Sequence, residues 1–387
     1  MKELIYLDNS ATLFPKPKEV LDFMDSFYRH YGVNPGRSGY DLCMEAEQMV
    51  QETRKLLTEF FHGKQYEHLV FTYNASDSLN MIINGILKPG DHVITTTLEH
   101  NSVLRPLHHK YSEGMIEVDY IPFDSQGYVN PDDFKKRFKK NTKLVIINHG
   151  SNVLGTVQPV QEIGKLCREQ GVIIAIDAAQ TAGAAPIDVE RMNIDLVAFT
   201  GHKSLMGPTG IGGLYVGEDI EIEPSRVGGT GVRSAYPFHL PEYPYRLECG
   251  TLNVLGIAGL NAGQKYLRKE GEENIRRKKL SLLERLQKGL MEIVGVTLYG
   301  STSLENRLAV LSFNIEGYKA IDAGTLLDVD YNIATRTGLH CAPKVHEQLQ
   351  TMPEGAVRVS IGPFNTEEHI DHCINAVKEI ASIKKGQ

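Results

Sequence analysis

Residues 172–213 constrain this chain more than any other stretch. They read VIIAIDAAQ, then NIDLVAF, then TGHKSLMGPTGIGG. One apolar run ends in Asp177; a second, 196–199, is followed at once by Thr200, His202 and Lys203. Runs of this length, rich in Val and Ile and bounded by turn residues, read as strands. In an open α/β sheet, ligands bind outside the carboxyl ends of the strands. An anion and an amine therefore overhang one crevice.

The same arrangement recurs upstream. HLVFT (68–72) leads to Asn74, Ala75, Ser76 and Asp77 and then to a helix whose Leu79, Ile82, Ile83, Ile86 and Leu87 share one face. Ser76 reads as its N-cap, with Asp77 in the first turn at the positive end of the dipole. A helix start built from small residues is also an anion cradle, because its amides are unpaired. HVITTT (92–97) leads to Glu99, His100 and Asn101, and LVIIN (144–148) to Ser151, Asn152 and Gly155. Strands alternating with helices predict a mostly parallel sheet covered on both faces. Its strand ends present Ser76, His100, Asn152, Asp177 with Gln180, and Lys203. Pyridoxal phosphate (PLP) needs a lysine for its Schiff base and a carboxylate for its ring nitrogen. Lys203 and Asp177 meet both needs.

At 387 residues the chain is long for a single core. We expect an N-terminal arm over 1–15 that packs with the smaller domain, a large PLP-binding α/β domain over 16–260 and a smaller α+β domain over 261–387 that carries the Cys341 loop. Helices are expected over 18–31, 40–61, 160–170 and 260–294, and the Gly/Pro/Tyr-rich segment 227–253 reads as a lid or a dimer arm. Strands are expected at 307–315, 331–337 and 356–362, and a last helix is expected to be capped by Thr366. A formal net charge of −7 argues against nucleic acid or an acidic membrane as partner. The five scattered cysteines form no CxxC pair, which fits a reducing compartment and no metal site. With neither a leader nor a membrane-length apolar run, a cytoplasmic location is expected.

Cysteine use separates the chemistries. Cys373 lies in an apolar helical stripe, the setting of an inert core thiol. Cys341 lies in a polar turn, Arg336-Thr337-Gly338-Leu339-His340-Cys341-Ala342-Pro343. Arg336 and His340 make that turn electropositive, the kind of setting that favours thiolate. A second loop, NPGRSGY, carries Arg37 and is equally a ligand loop or plain surface.

Taken in order, SNVLGT, DAAQ, TGHKSLMGPTGIGG, CGTLN and RTGLHCA resemble the cysteine desulfurases of the class V aminotransferase group. The similarity runs from LDNSAT (7–12) to VRVSIGPFNT (357–366). The resemblance implies the aspartate-aminotransferase-like fold (fold type I), with a seven-stranded-type sheet and PLP as cofactor. It implies that Lys203 carries the cofactor and moves protons, and that Asp177 pairs with its ring nitrogen. Gln180 would hydrogen-bond its phenolic oxygen, and His100 would stack on the ring and act in acid–base steps. Ala75, Ser76, Thr200 and His202 would hold the phosphate, joined by Thr251 from the second subunit of a homodimer. Asn152 and Arg358 would fix the substrate carboxylate, with Arg336 and Arg37 as further substrate residues. Cys341 would take sulfur from L-cysteine as a persulfide, leaving L-alanine, and L-selenocysteine is an alternative substrate.

The loop resembles the short-loop type, with Leu339 where a His usually stands. Asn74 and Asp77 replace a common Gly and Glu, Cys249 replaces a small residue, and the 228–245 segment is shorter. These departures leave a sulfur-acceptor protein undefined. A PLP-dependent C–S lyase and a class V aminotransferase for another small amino acid share the sheet motifs. Neither requires Cys341.

Overall fold

The computed structural model describes residues 4–36 and 39–383. Its central sheet has seven strands in the spatial order Leu69–Thr72, Gly212–Val216, Leu196–Thr200, Ile173–Asp177, Thr142–Asn148, His92–Thr96 and Glu117–Ile121. Gly212–Val216 runs antiparallel to both of its neighbours, and every other pairing is parallel. Helices on both faces bury the inner strands from both sides, so those sequences are largely apolar rather than alternating, whereas the edge strand Glu117–Ile121 is partly exposed and polar. The pleat sends successive residues to opposite cores. Val145 and Ile147 face one, Leu144 and Ile146 the other.

The helix after the first of these strands spans Ala75–Ile86, and its N-cap is Asn74, not Ser76. Asn74 Oδ1 accepts the amide of Asp77 at 3.0 Å, while Asp77 Oδ2 accepts the amide of Tyr73 at 3.1 Å. This reciprocal closure resembles a capping box. It leaves Ser76 Oγ free to pair with Ser102 Oγ at 2.6 Å. Gly212 makes the approach possible. A Cβ there would lie 2.6 Å from the Phe199 carbonyl oxygen and 2.8 Å from Asn74 Cα.

A second, four-stranded antiparallel sheet has the order Arg336–Gly338, Ala356–Ser360, Val310–Ile315, Val296–Tyr299. Leu283, Leu286, Leu311, Phe313, Val357 and Val377 form its core with helices Glu272–Met291 and Glu367–Ile383. The helix expected over 260–294 is two helices, Val254–Glu270 and Glu272–Met291. They part at Gly271, whose φ of +80° only glycine adopts freely. Ile257, Leu260 and Leu267 belong to the large core, so a division at residue 260 cuts through a helix packed on Lys18–Tyr31 and Asp41–Phe60. The strand expected over 331–337 is likewise two. Ile333–Ala334 pairs with Ile5–Tyr6 of the arm, and Arg336–Gly338 pairs with Ala356–Ser360.

The arm touches both units. Leu7 is buried in the smaller core and Leu13 in the larger. Segment 227–253 contains no helix or strand, yet its end is anchored: Glu248 forms a buried ion pair with Arg54 and accepts the Phe71 amide. No described helix is long and apolar enough to cross a membrane.

Candidate active site

A cavity of about 290 Å³ opens at the carboxyl ends of the parallel strands. Ala75, Ser76, His100, Asn152, Asp177, Gln180, Thr200, His202 and Lys203 line it, together with Arg336 and Arg358 from the smaller sheet. Five separate strand ends therefore converge, as the recurrence of polar residues after apolar runs predicts.

Asp177 and Lys203 set the electrostatics. Asp177 is 5 % exposed and accepts the Ala179 amide at 2.9 Å. Burial pushes its carboxyl up, while that amide and the Lys203 charge hold it down. Burial pushes the Lys203 amine down to about 8; Asp177 resists this, while Arg358 and Arg336 add to it. A depressed lysine has far more free amine near neutrality than an ordinary one, as condensation with a carbonyl requires.

His100 caps helix Asn101–Ser112, its Nδ1 accepting the Ser102 amide at 3.1 Å. With Nδ1 an acceptor, the neutral ring carries its proton on Nε2. Burial first, then Lys203 and the arginines, pushes the ring down to about 4, so it is uncharged at neutral pH. His202 is lowered to about 4 by burial and by Lys203 and Lys16. Gln180 gives one amide N–H to the Ser10 carbonyl at 3.0 Å, leaving its second for the cavity it lines.

The end of the cavity that carries Asn152 and Arg358 is built across both units. Asn152 Nδ2 donates to the His340 carbonyl at 2.8 Å, and Arg358 Nη1 donates to the Asn152 carbonyl at 3.1 Å. His340 lines the cavity. Its ring is held by the Ala356 carbonyl at 3.1 Å, and burial drives it far below the usual imidazole range. His340 and Cys341 both sit at positive φ, +49° and +58°. That left-handed region is costly for residues with a side chain, and such strain collects at functional sites.

Cys341 is not among the lining residues, but it follows one, and its carbonyl accepts the Asn101 amide at 2.7 Å. Thr251 lies outside its own chain's cavity, exposed in a separate hollow with Tyr73, Asp77 and Arg226. Arg37 lies outside the described residues. Sequence reasoning missed Ser10, Ala11, Ser102 and Asn148, which also line the cavity; His340, expected to add positive charge beside Cys341, is instead kept neutral by burial. Asn148 ends a strand and the same rule reaches it. Ser10 and Ala11 lie in an irregular arm, where no periodicity points anywhere.

Several cavity groups are left without partners. Thr200 Oγ1, His202 Nδ1 and Asn152 Oδ1 are buried and make no hydrogen bond within the described residues. Buried polar atoms are rarely orphaned unless a ligand completes them. The first-turn amides at Ala75 and Ser76, with Thr200 and His202, offer donors for a phosphate at one end of the cavity that Asp177 and Lys203 also line. The residues present therefore fit PLP.

The pattern of the family described as aminotransferase class-V matches residues 5–373. A probable cysteine desulfurase of Pyrococcus abyssi is 35% identical over 100% of this chain and 96% of its own length. The apo structure of the cysteine desulfurase from Thermococcus onnurineus NA1 superposes with a TM-score of 0.92 at 36% identity, covering 98% of this chain and 95% of that one. The S-sulfonic acid form of the Escherichia coli cysteine desulfurase CsdA does so with a TM-score of 0.89 at 27% identity, again over 98% and 95%. The expected fold and the expected dependence on PLP both hold for these proteins' family. The chain belongs to the class-V aminotransferases.

Proposed function

We propose that this enzyme is a cysteine desulfurase, converting L-cysteine to L-alanine and leaving the sulfur as a persulfide on Cys341. One observation carries the reading beyond the family. A cysteine directly follows His340 of the cavity wall, in a strained loop fixed by the Asn101 amide and the Asn152 side chain.

Bound PLP supplies the electron sink that makes the substrate's Cα acidic and its C–S bond breakable. The chain's own groups do the rest. Arg358 and Asn152 hold the substrate carboxylate, with Arg336 beside them. Lys203 would hold the cofactor, take the Cα proton and return a proton to the carbon skeleton; burial pushes its amine down to about 8. Asp177 would pair with the ring nitrogen, Gln180 would give its free N–H to the ring oxygen, and neutral His100 would stack on the ring. Ala75, Ser76, Thr200 and His202 would hold the phosphate. The Cys341 thiolate attacks the substrate sulfur. The S–S bond forms as C–S breaks, the electron pair goes to the substrate carbon, and protonation there gives alanine.

We further infer a homodimer in which Thr251 completes the partner's phosphate site. Its exposure, and its anchoring through Glu248 outside its own cavity, support this. Selenocysteine fits the same site. Mass spectrometry after incubation with L-cysteine is expected to find one added sulfur on the peptide bearing Cys341. Cys341→Ala is expected to retain PLP but yield no alanine. Pyruvate and ammonia as products, or full desulfuration by the variant, would overturn the reading.

A further inference from the structure

The arm between Tyr6 and Lys16 is a strap across the site. It begins on the smaller sheet, where Ser360 donates its amide to the Leu7 carbonyl at 2.7 Å and Asn9 donates to the Ser360 carbonyl at 3.3 Å. It ends on the larger unit. There the His202 carbonyl, one residue before Lys203, accepts from Thr12 Oγ1, the Leu13 amide and Lys16 Nζ. Between those anchors the Asp8 carboxylate accepts from Arg358 Nη2 at 2.6 Å.

We propose that Asp8 is a positioning residue that sets the plane of the Arg358 guanidinium for the substrate carboxylate, and so helps decide that the substrate is an α-amino acid. This rests on the reading of Arg358 given above. Asp8 is not among the residues lining the cavity, so it acts through the arginine. Arg358 is 1 % exposed, and its two restraints come from different segments, Asp8 on Nη2 and the Asn152 carbonyl on Nη1. Two of its five N–H groups are thereby used, and Nε is buried without a partner. A planar fork binds a carboxylate well only when its plane is right. Asp8 also answers a charge problem. Arg336 stands directly across the strand pair from Arg358, a like-charge arrangement that is unfavourable. Burial, and to a lesser degree Arg336, weaken the hold of Arg358 on its proton, and Asp8 opposes them without fully offsetting the burial.

The backbone of Asp8 is fixed independently of its side chain. It bridges Ser360, and its carbonyl accepts from the Tyr6 hydroxyl at 3.1 Å. Asp8→Asn can therefore remove the charge without releasing the strap.

The test compares wild-type, Asp8→Asn and Arg358→Lys holoenzymes using L-cysteine as substrate and cysteamine, which lacks the carboxylate, as competing ligand. For Asp8→Asn, KM for L-cysteine is expected to rise about tenfold and kcat to change less than about threefold, the pattern of weakened carboxylate recognition. The inhibition constant of cysteamine is expected to stay unchanged. An unchanged KM, or a parallel loss of cysteamine affinity, would overturn the positioning role. If Arg358→Lys leaves KM unchanged, the reading of Arg358 itself fails. If Arg358→Lys raises KM and Asp8→Asn does not, only the role of Asp8 fails. Should Asp8→Asn not fold, Asp8→Glu keeps the charge but displaces it by a methylene, and must show the same selective rise.

Discussion

Asn152 and Arg358 grip one another across the junction of the two units. The arginine donates to the Asn152 carbonyl at 3.1 Å, and the Asn152 side chain donates to the His340 carbonyl at 2.8 Å. One asparagine thus touches both the arginine proposed to bind the carboxylate and the cysteine loop. Asn152→Ala removes the loop contact and leaves the main-chain one. We expect kcat/KM for L-cysteine to fall by about 10- to 100-fold, about 1.4–2.8 kcal/mol. Single-turnover assays should find that persulfide formation slows more than substrate binding weakens.

If Lys203 holds PLP as proposed, loading of the cofactor should depend on pH. Burial pushes its amine from 10.5 down to about 8. Only the free amine condenses with an aldehyde, so the rate of PLP uptake by apoprotein should climb with pH and level off above about 8. Stopped-flow absorbance measures this directly. An ordinary lysine would keep the rate climbing towards 10.5. The linkage sign follows: between 8 and 10.5 the unfolded chain holds the extra proton, so this group makes apoprotein stability rise with pH in that window.

The cap of helix Ala75–Ile86 gives a second test. Asn74→Ala removes the acceptor for the Asp77 amide and should cost about 1 kcal/mol in urea unfolding. Ser76→Ala should cost clearly less, because Ser76 Oγ pairs with Ser102 and caps nothing. Equal losses would contradict the cap.

Arg54 and Glu248 form a buried pair linked by two hydrogen bonds, with the guanidinium 4.5 Å from the Phe71 ring centroid. Removing one partner strands a buried charge. Arg54→Met should destabilise the protein by about 3–5 kcal/mol, and Arg54→Met with Glu248→Leu should recover part of that loss. Because Glu248 precedes the Cys249–Thr251 turn, the single variant should also weaken the proposed dimer, read by sedimentation.

Much of this site was legible because its residues follow a rule that needs no three-dimensional information. Ser76, His100, Asn152, Asp177 and Lys203 each come just after an apolar run, and parallel strands deliver such positions to one edge. Arg358 and Arg336 came from resemblance alone, since they lie within strands of a different sheet. The helix cap was misread because Asn74 and Ser76 are both good N-caps. Gly212 decides between them by letting the Asn74 backbone sit against the sheet, a contact far apart in sequence. The break at Gly271 was hidden by apolar residues that keep helical spacing on both sides of it. The arm's packing on the smaller unit was expected, but residues without periodicity gave no sign that its other end is bonded to the His202 carbonyl of the larger one.

The strap carries a consequence for the birth of the enzyme. Its first strand pairs with Ile333–Ala334, and Asp8 reaches its partner only in Ala356–Ser360, more than three hundred residues later. The larger unit can collapse during synthesis and take hold of the arm through Leu13 and the His202 carbonyl, while Asp8 still lacks its arginine. A chain halted before that last strand would own the lysine but no seated arginine. Competence therefore arrives late and all at once, when strand Ala356–Ser360 brings Arg358 to the waiting Asp8.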